Sequence, residues 1–324
     1  MRAGIIAFLL LLCPLLVGCK AERGQKTLRL AHALDTEHPV HLAMERIAER
    51  VAALSENRLT IEIYPSGQLG SERELVELLQ IGSLAMTKVS AAPLEGFIPE
   101  MQIFGIPYIF KNRRHYWKVL ESDIGKDLLL SMQRVKLHGL GYFDAGARSF
   151  YTTKKPIKSP KDLAGQKIRV MNSQTAIKTV NALGATPTPI SWGELYTALQ
   201  QGVVDGAENN PPTFYLSRQY EISKYYVLDE HSAIPDVLLM SLYIWNNLSA
   251  QEKQWLAAAI EEGVLYQREL WEKATKDALK AVEAAGVKVI YPDKRPFQRA
   301  VQGMYRQYEG SEVGVLIQRI RNVR

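Results

Sequence analysis

The chain has 324 residues, 47% of them hydrophobic, which is enough apolar material for about two packed domains and excludes intrinsic disorder. Its 40 Lys and Arg against 34 Asp and Glu give a net charge of +6 from scattered residues, so nucleic-acid binding has no support while a small anionic partner stays open. With 22 Gly, 15 Pro and 2 Cys, collagen-like and disulfide-framework classes are excluded as well.

Arg2 precedes an apolar run over residues 5–17 that contains Pro14 and ends at Gly18-Cys19 before the polar Lys20. That pattern predicts a secretory signal over residues 1–19. The run is too short to cross a bilayer of about 30 Å as a helix, and no later stretch is apolar enough to do so. Leu16-Val17-Gly18-Cys19 resembles a bacterial lipobox, in which Cys19 is lipidated and becomes the acylated first residue. Two or three acyl chains anchor stably because each buried CH₂ contributes ~0.8 kcal/mol. Cys13 leaves with the signal, so the mature protein is expected to hold no disulfide, although it is exported.

Residues 27–31 and 59–64 alternate apolar and polar side chains, and between them residues 41–51 carry apolar residues at helical spacing, which predicts a βαβ unit. A loop over residues 65–70 leads to Ser71, an N-cap with Glu72 and Glu74 in the first turn of a helix that ends near Gly82. In the middle of the chain Ser159-Pro160-Lys161-Asp162 reads as a capped helix start, and it feeds a strand over residues 166–171. A helix over 173–183 follows, then an extended 186–190 with two prolines, then a helix from Trp192 to Gln201. Val203-Val204 is expected to open a short strand ending at Asp205-Gly206. Ser249 to Glu252 is a capping box, after which a helical pattern runs to about Ala285 with no proline and one glycine, Gly263. About 35 residues at 1.5 Å each reach ~50 Å, longer than a small domain, so this helix is expected to span two lobes of an α/β protein with a cleft between them. A short helix is expected in the tail from Glu309.

The phosphate-loop, dinucleotide, serine-elbow and zinc-protease motifs are missing, so no cofactor is expected. His38 and His41 flank Pro39 near Asp35 and read better as helix-start capping than as metal ligands; no metal is expected. Arg169 stands inside the apolar strand 167–170, and Arg148 follows the apolar segment 137–143. An arginine there is expensive to bury without an anion, and its two parallel N–H donors suit a carboxylate, supplied either by a ligand or by an internal Asp or Glu. Asn172, Trp192, Glu208, Asn209, Asn210, His231 and Asp236 offer polar and indole groups at predicted strand-to-helix junctions, where open α/β sheets bind ligands.

From Asp144 to Asp236 the sequence resembles the substrate-binding proteins of tripartite ATP-independent periplasmic (TRAP) transporters, the dicarboxylate-binding family. The resemblance extends over the mature chain through His32, His38-Pro39, the segments 64–70 and 162–170, Gly184-Ala-Thr-Pro-Thr-Pro189, Glu194-Leu-Tyr196 and Asp205-Gly-Ala-Glu-Asn209. It implies a periplasmic-binding-protein-like α/β fold of two lobes, with lobe I over 26–146 plus about 236–278 and lobe II over 147–235 plus about 279–324. It also implies that Arg169 holds a ligand carboxylate with Arg148 and Asn209 beside it and Trp192 at the pocket wall. His32, Glu72, Ser90, Asn172, Asn210, His231 and Asp236 match positions near the rest of the ligand. Ser90 stands where some sialic-acid-binding members carry a carboxylate, which argues against that ligand, and the lipobox departs from the many freely soluble members.

The segments 209–214 and 229–236 look like those of members that bind hexuronates such as glucuronate or galacturonate. The expected function is an extracytoplasmic receptor, monomeric and lipid-anchored to a bacterial membrane, that delivers a sugar acid to a TRAP permease. A C4-dicarboxylate is the alternative ligand, with Lys88 as a second cationic anchor. A periplasmic lyase or hydrolase using His231 with Asp236 or Glu208 is a reading from another class, and a sensor subunit is a third.

Overall fold

The computed structural model describes residues 25–323. The expected signal and lipobox, Cys19 included, lie outside the described residues. The first sheet has the order β2-β1-β3-β10-β4, formed by β1 (Lys26–Ala31), β2 (Leu59–Tyr64), β3 (Met86–Ser90), β4 (Leu137–Phe143) and β10 (Asp236–Ser241). β1 pairs in parallel with β2 and β3, and β10 runs antiparallel between β3 and β4. The second sheet has the order β11-β9-β5-β8-β6-β7, from β5 (Arg148–Thr152), β6 (Lys167–Val170), β7 (Thr186–Pro189), β8 (Gly206–Asn209), β9 (Tyr225–Ser232) and β11 (Lys288–Ile290).

Local chemistry explains most of these elements. In β1, Leu28 and Leu30 point inward while Thr27 and Arg29 point out, the period-two pattern of a strand with one buried face. The helix Pro39–Leu54 starts at His38, whose Nδ1 accepts from the Val40 N–H at 3.2 Å, and buries Val40, Ala43, Met44, Ile47 and Val51 on one face. β7 lies at a sheet edge, where Pro187 and Pro189 cost no ladder hydrogen bond.

The chain crosses between the sheets at residues 144–147 and again at 233–235. A third connection is the helix Ala250–Ala284, whose 35 residues match the expected span. Its Leu256, Ala259, Ile260 and Trp271 enter the core beneath the first sheet, and Val282 enters one beneath the second. Gly263 is required there: a Cβ would stand 2.2 Å from Ile47 Cγ1, so its absence lets the two helices cross closely.

Three expectations need correction. The strand expected at Val203-Val204 begins instead at Gly206 and runs to Asn209. The Val203 N–H closes the preceding helix on Ala198 O, and Asp205 is tied to Lys167 through N–H···O at 2.8 Å and Oδ2···H–N at 2.9 Å. The Ser159 capping box exists, but the element it opens is a single 3₁₀ turn, Pro160–Leu163. The tail does not stay with lobe II: the helix Glu312–Asn322 buries Val313, Leu316, Ile317 and Ile320 in the first lobe's core with Phe104, Val119 and Leu128. Its apolar face fits that core, which the expected boundary at residue 279 had left uncovered.

Candidate functional site

A cavity of about 390 Å³ lies between the two sheets. Nine of the eleven candidate binding residues line it: Glu72, Ser90, Arg148, Arg169, Asn172, Trp192, Asn209, Asn210 and Asp236. The loop residues Ser66, Gly67, Gly70 and Ser71 line it too, with His38 and Thr213, none of which the sequence reading had placed at the site. The signal for the loop was present in its Pro-Ser-Gly pattern, which marks a turn but does not say what it faces.

Arg148 and Arg169 enter the cavity in different states. Arg148 sits at the start of β5, and the pairing of Phe150 with Glu208 on β8 brings Glu208 alongside it. Its guanidinium donates to Glu208 Oε2 at 2.5 Å, Glu208 Oε1 at 3.0 Å, Glu208 O at 2.7 Å and Asn209 Oδ1 at 2.9 Å. Here the internal salt bridge is the correct reading of the arginine. Burial works against its charge, yet the Glu208 carboxylate outweighs burial and raises its pKa.

Arg169 is 2% exposed and makes one hydrogen bond, from Nε to Ile190 O at 2.8 Å. Its terminal nitrogens have no carboxylate partner among the described residues. The Trp192 ring lies beside it, with its centroid 5.9 Å from the guanidinium carbon. Burial lowers the Arg169 pKa, and nearby Arg148 adds to this. An arginine nevertheless stays charged at neutral pH, so the cavity holds a desolvated cation whose forked donors suit a planar anion.

The side-chain oxygens of the two asparagines are engaged within the protein. Asn209 Oδ1 takes Arg148 Nη1 and the Asn210 N–H, and Asn210 Oδ1 caps the helix Pro211–Leu216 through the Thr213 N–H at 2.8 Å. Each side chain keeps an NH₂ donor for the cavity. On the opposite wall Lys88 Nζ lies 3.1 Å from Asp236 Oδ2 and 3.3 Å from Glu72 Oε1, and Glu72 Oε1 also accepts the Ser90 N–H at 3.0 Å. Lys88 is thereby engaged within the protein, contrary to its expected role as a second anchor. His38 Nε2 meets Thr213 Oγ1 at 3.1 Å and joins the two lobes at the cavity floor. Burial, and then Lys88, hold the His38 pKa well below its ordinary value, so the contact involves a neutral ring.

Two candidates fall outside the cavity. His32 is buried, pairs with His41 at 2.9 Å and accepts the Leu34 N–H at 3.1 Å; burial and Lys88 push its pKa down to about 3. It supports the chain behind the wall. His231 lines a second cavity on the other face of the crossing segments, with Asp144 and Trp271. Its Nδ1 lies 2.8 Å from Asp229 Oδ2, its Nε2 3.6 Å from Glu208 Oε2, and its ring stacks on Phe150 with centroids 4.5 Å apart. A histidine near a strand-to-helix junction, as His231 is, is legible in sequence, but the face it takes depends on strand pairing; the resemblance alone puts His32 at the site.

Burial disfavours the charge on His231, but Asp229 and then Glu208 outweigh it and raise its pKa to about 9. Because the folded value exceeds the ordinary 6.5, the imidazolium's contribution is complete below pH 6.5 and is lost as pH rises through about 9. A shift of that size corresponds to about 3 kcal/mol. Urea unfolding is therefore expected to show a stability decline from pH 6.5 to 9.5 that a His231→Gln variant lacks; equal slopes in the two proteins would contradict the assignment.

The family described as bacterial extracellular solute-binding protein, family 7 (DctP), matches residues 30–311. A Salmonella typhimurium protein, the uncharacterized YiiZ, is 40% identical over 286 residues, 88% of this chain and 87% of its own. A TRAP periplasmic solute-binding protein of Bradyrhizobium sp. BTAi1, solved with α/β-D-galacturonate, is 39% identical; the match covers 92% of this chain and 100% of that one, with a TM-score of 0.89. The corresponding protein of Pseudomonas putida F1, solved with D-glucuronate, is 32% identical over 92% of this chain and 97% of that one, again with a TM-score of 0.89. With two lobes, a cleft lined from both and a family match that spans nearly all of the described chain, this protein belongs to family 7 of the bacterial extracellular solute-binding proteins, the DctP-type receptors of TRAP transporters.

Proposed function

We infer that this receptor binds a sugar acid of the hexuronate class, D-galacturonate or D-glucuronate, and presents it to its TRAP permease. The observation that carries this reading is Arg169, a buried guanidinium facing the cleft whose terminal nitrogens have no carboxylate partner among the described residues. A ligand carboxylate at that point would accept two parallel charge-assisted hydrogen bonds beside the Trp192 ring. Asn209 and Asn210 supply donors, and Glu72 and Asp236 supply acceptors for hydroxyl groups across the cleft. The Bradyrhizobium and Pseudomonas proteins, whose structures hold galacturonate and glucuronate, support the class.

The ligand would touch Arg169 on one lobe and Glu72 and Asp236 on the other, so it stabilises the closed arrangement more than an open one. That difference in affinity shifts the population toward closure. The family is one of solute-binding transport proteins, and a receptor of that kind is expected to return its ligand unchanged. His231, which a lyase reading pairs with Asp236 or Glu208, lies outside the cleft cavity and lines a second one.

A thermal-shift panel tests the class. Galacturonate or glucuronate at about 1,000 times its dissociation constant is expected to stabilise the purified protein by about 4 kcal/mol, or several degrees. A shift with succinate or malate and none with either hexuronate would overturn the reading in favour of the dicarboxylate alternative.

Cys19 is proposed as the lipidated residue that tethers the receptor to the cell envelope. The Cys19→Ser protein is expected to move from the membrane to the soluble fraction of cells. Continued sedimentation with membranes would refute the anchor.

A further inference from the structure

The charged groups that line the cleft do not balance evenly across it. On the second lobe Arg148 is cancelled by Glu208, and Arg169 is not cancelled. At the mouth the half-exposed Arg73 pairs with Glu77 at 3.1 Å and lies over the Phe97 ring. On the first lobe one ammonium, Lys88, stands between two carboxylates, Glu72 and Asp236.

The backbone fixes this last group. Lys88 and Asp236 project from β3 and β10, which pair in antiparallel register with Ser90 opposite Asp236 and Lys88 opposite Leu238. Glu72 is the first residue of the helix Glu72–Gln80, and its Oε1 is also held by the Ser90 N–H. The Lys88 side chain is only 3% exposed, against 9% for Asp236 and 17% for Glu72, so the carboxylate residues offer more accessible surface than the lysine between them. That wall presents acceptors and one carboxylate in excess of its cation.

Resting on the sugar-acid reading above, we propose that Glu72, Lys88 and Asp236 act as a charge filter that admits sugar acids with a single carboxylate and rejects the corresponding diacids. A hydroxyl at the far end of the ligand donates to Glu72 or Asp236. A carboxylate at the same place has no proton to donate, meets two like charges in a desolvated cleft, and finds the Lys88 ammonium already shared between them. Asp236 and Glu72 therefore set selectivity through what they take from Lys88 as well as through what they offer the ligand.

Galactarate and D-galactonate make the test clean, because both are open chains and differ only in whether C6 is a carboxylate or a hydroxymethyl group. Calorimetric affinities at pH 7.5 for galacturonate, galactonate and galactarate would be measured on the wild type, Asp236→Asn and Glu72→Gln. The wild type is expected to bind galactarate at least ~100-fold more weakly than the better of the two monoacids, a gap worth about 2.7 kcal/mol. In Asp236→Asn and Glu72→Gln a like charge is removed and Lys88 is partly released. Galactarate affinity is expected to rise at least ~10-fold in either variant while monoacid affinity does not rise.

Wild-type galactarate binding within threefold of galacturonate, or no gain of galactarate binding in either variant that keeps its melting transition, would overturn the filter. The wild-type comparison stands alone if neither variant folds. A wild type that ignores every sugar acid and takes succinate would overturn the sugar-acid reading itself, which is a different result from one that takes galacturonate and galactarate alike.

Discussion

Arg169→Ala is expected to abolish ligand binding while leaving the ligand-free protein as stable as the wild type or more so. Hydrogen bonds to a charged group contribute about 1.5–3 kcal/mol each, and a bidentate pair loses both at once, so affinity should fall by at least ~100-fold. Stability moves the other way because folding buries this guanidinium beside Trp192 with one backbone acceptor, Ile190 O, and no carboxylate partner among the described residues. Removing a desolvated, uncompensated charge relieves a cost that ligand normally offsets. Arg169→Lys keeps the charge and loses the fork, so it is expected to weaken binding substantially without restoring the planar contact. Calorimetry and a ligand-free melt check both halves; unchanged affinity in Arg169→Ala would remove the carboxylate from this position.

Glu208→Gln is expected to have the opposite signature, a large loss of stability. Glu208 receives two hydrogen bonds from Arg148 through its carboxylate and stands 3.6 Å from His231 Nε2. Burial raises its pKa, but Arg148 and then His231 outweigh burial and push it down to about 2, so the carboxylate is ionised throughout the physiological range. Replacing it leaves two buried cations: His231 keeps its contact with Asp229, while Arg148 keeps no carboxylate in ion-pair contact among the described residues. Breaking a buried pair in this way costs about 3–5 kcal/mol, or roughly 10 °C of melting temperature for a protein of this size. A loss below about 1 kcal/mol in denaturant melts would mean that Arg148 finds solvent or another partner. The two arginines of one cleft thus answer differently: one is held by the protein, and the other is offered to the ligand.

That difference could not be read from the sequence. Both arginines satisfied the same argument, a cation near the end of an apolar strand, and the partner of Arg148 lies sixty positions away, brought alongside by the pairing of β5 with β8. Lys88 posed the same difficulty. Its neighbours in sequence are apolar or neutral, and the carboxylates that engage it come from the start of a helix and from β10, which enters the first sheet only after five of the second sheet's six strands have been laid down. The resemblance puts His32 and His231 near the ligand, but His32 packs on His41 and His231 on Asp229, and neither lines the cleft cavity.

Patterns contained within one element were legible. The capping box at Ser249, the absence of proline and the single Gly263 announced the 35-residue helix to within a residue at each end. The alternation around Arg169 announced β6, and the two prolines at 187 and 189 marked an extended segment that proved to be an edge strand. The tail helix was expected too, but which lobe it covers depends on where an exposed apolar face remains, and that is a property of the assembled sheets.

A crystal structure of the protein with D-galacturonate would show which lobe holds the ligand carboxylate. The ligand carboxylate is expected within hydrogen-bond distance of both terminal nitrogens of Arg169, with the sugar hydroxyls directed to Glu72 and Asp236. A ligand lying in the reverse sense, with its carboxylate at Lys88 and its hydroxyls at Arg169, would contradict this placement.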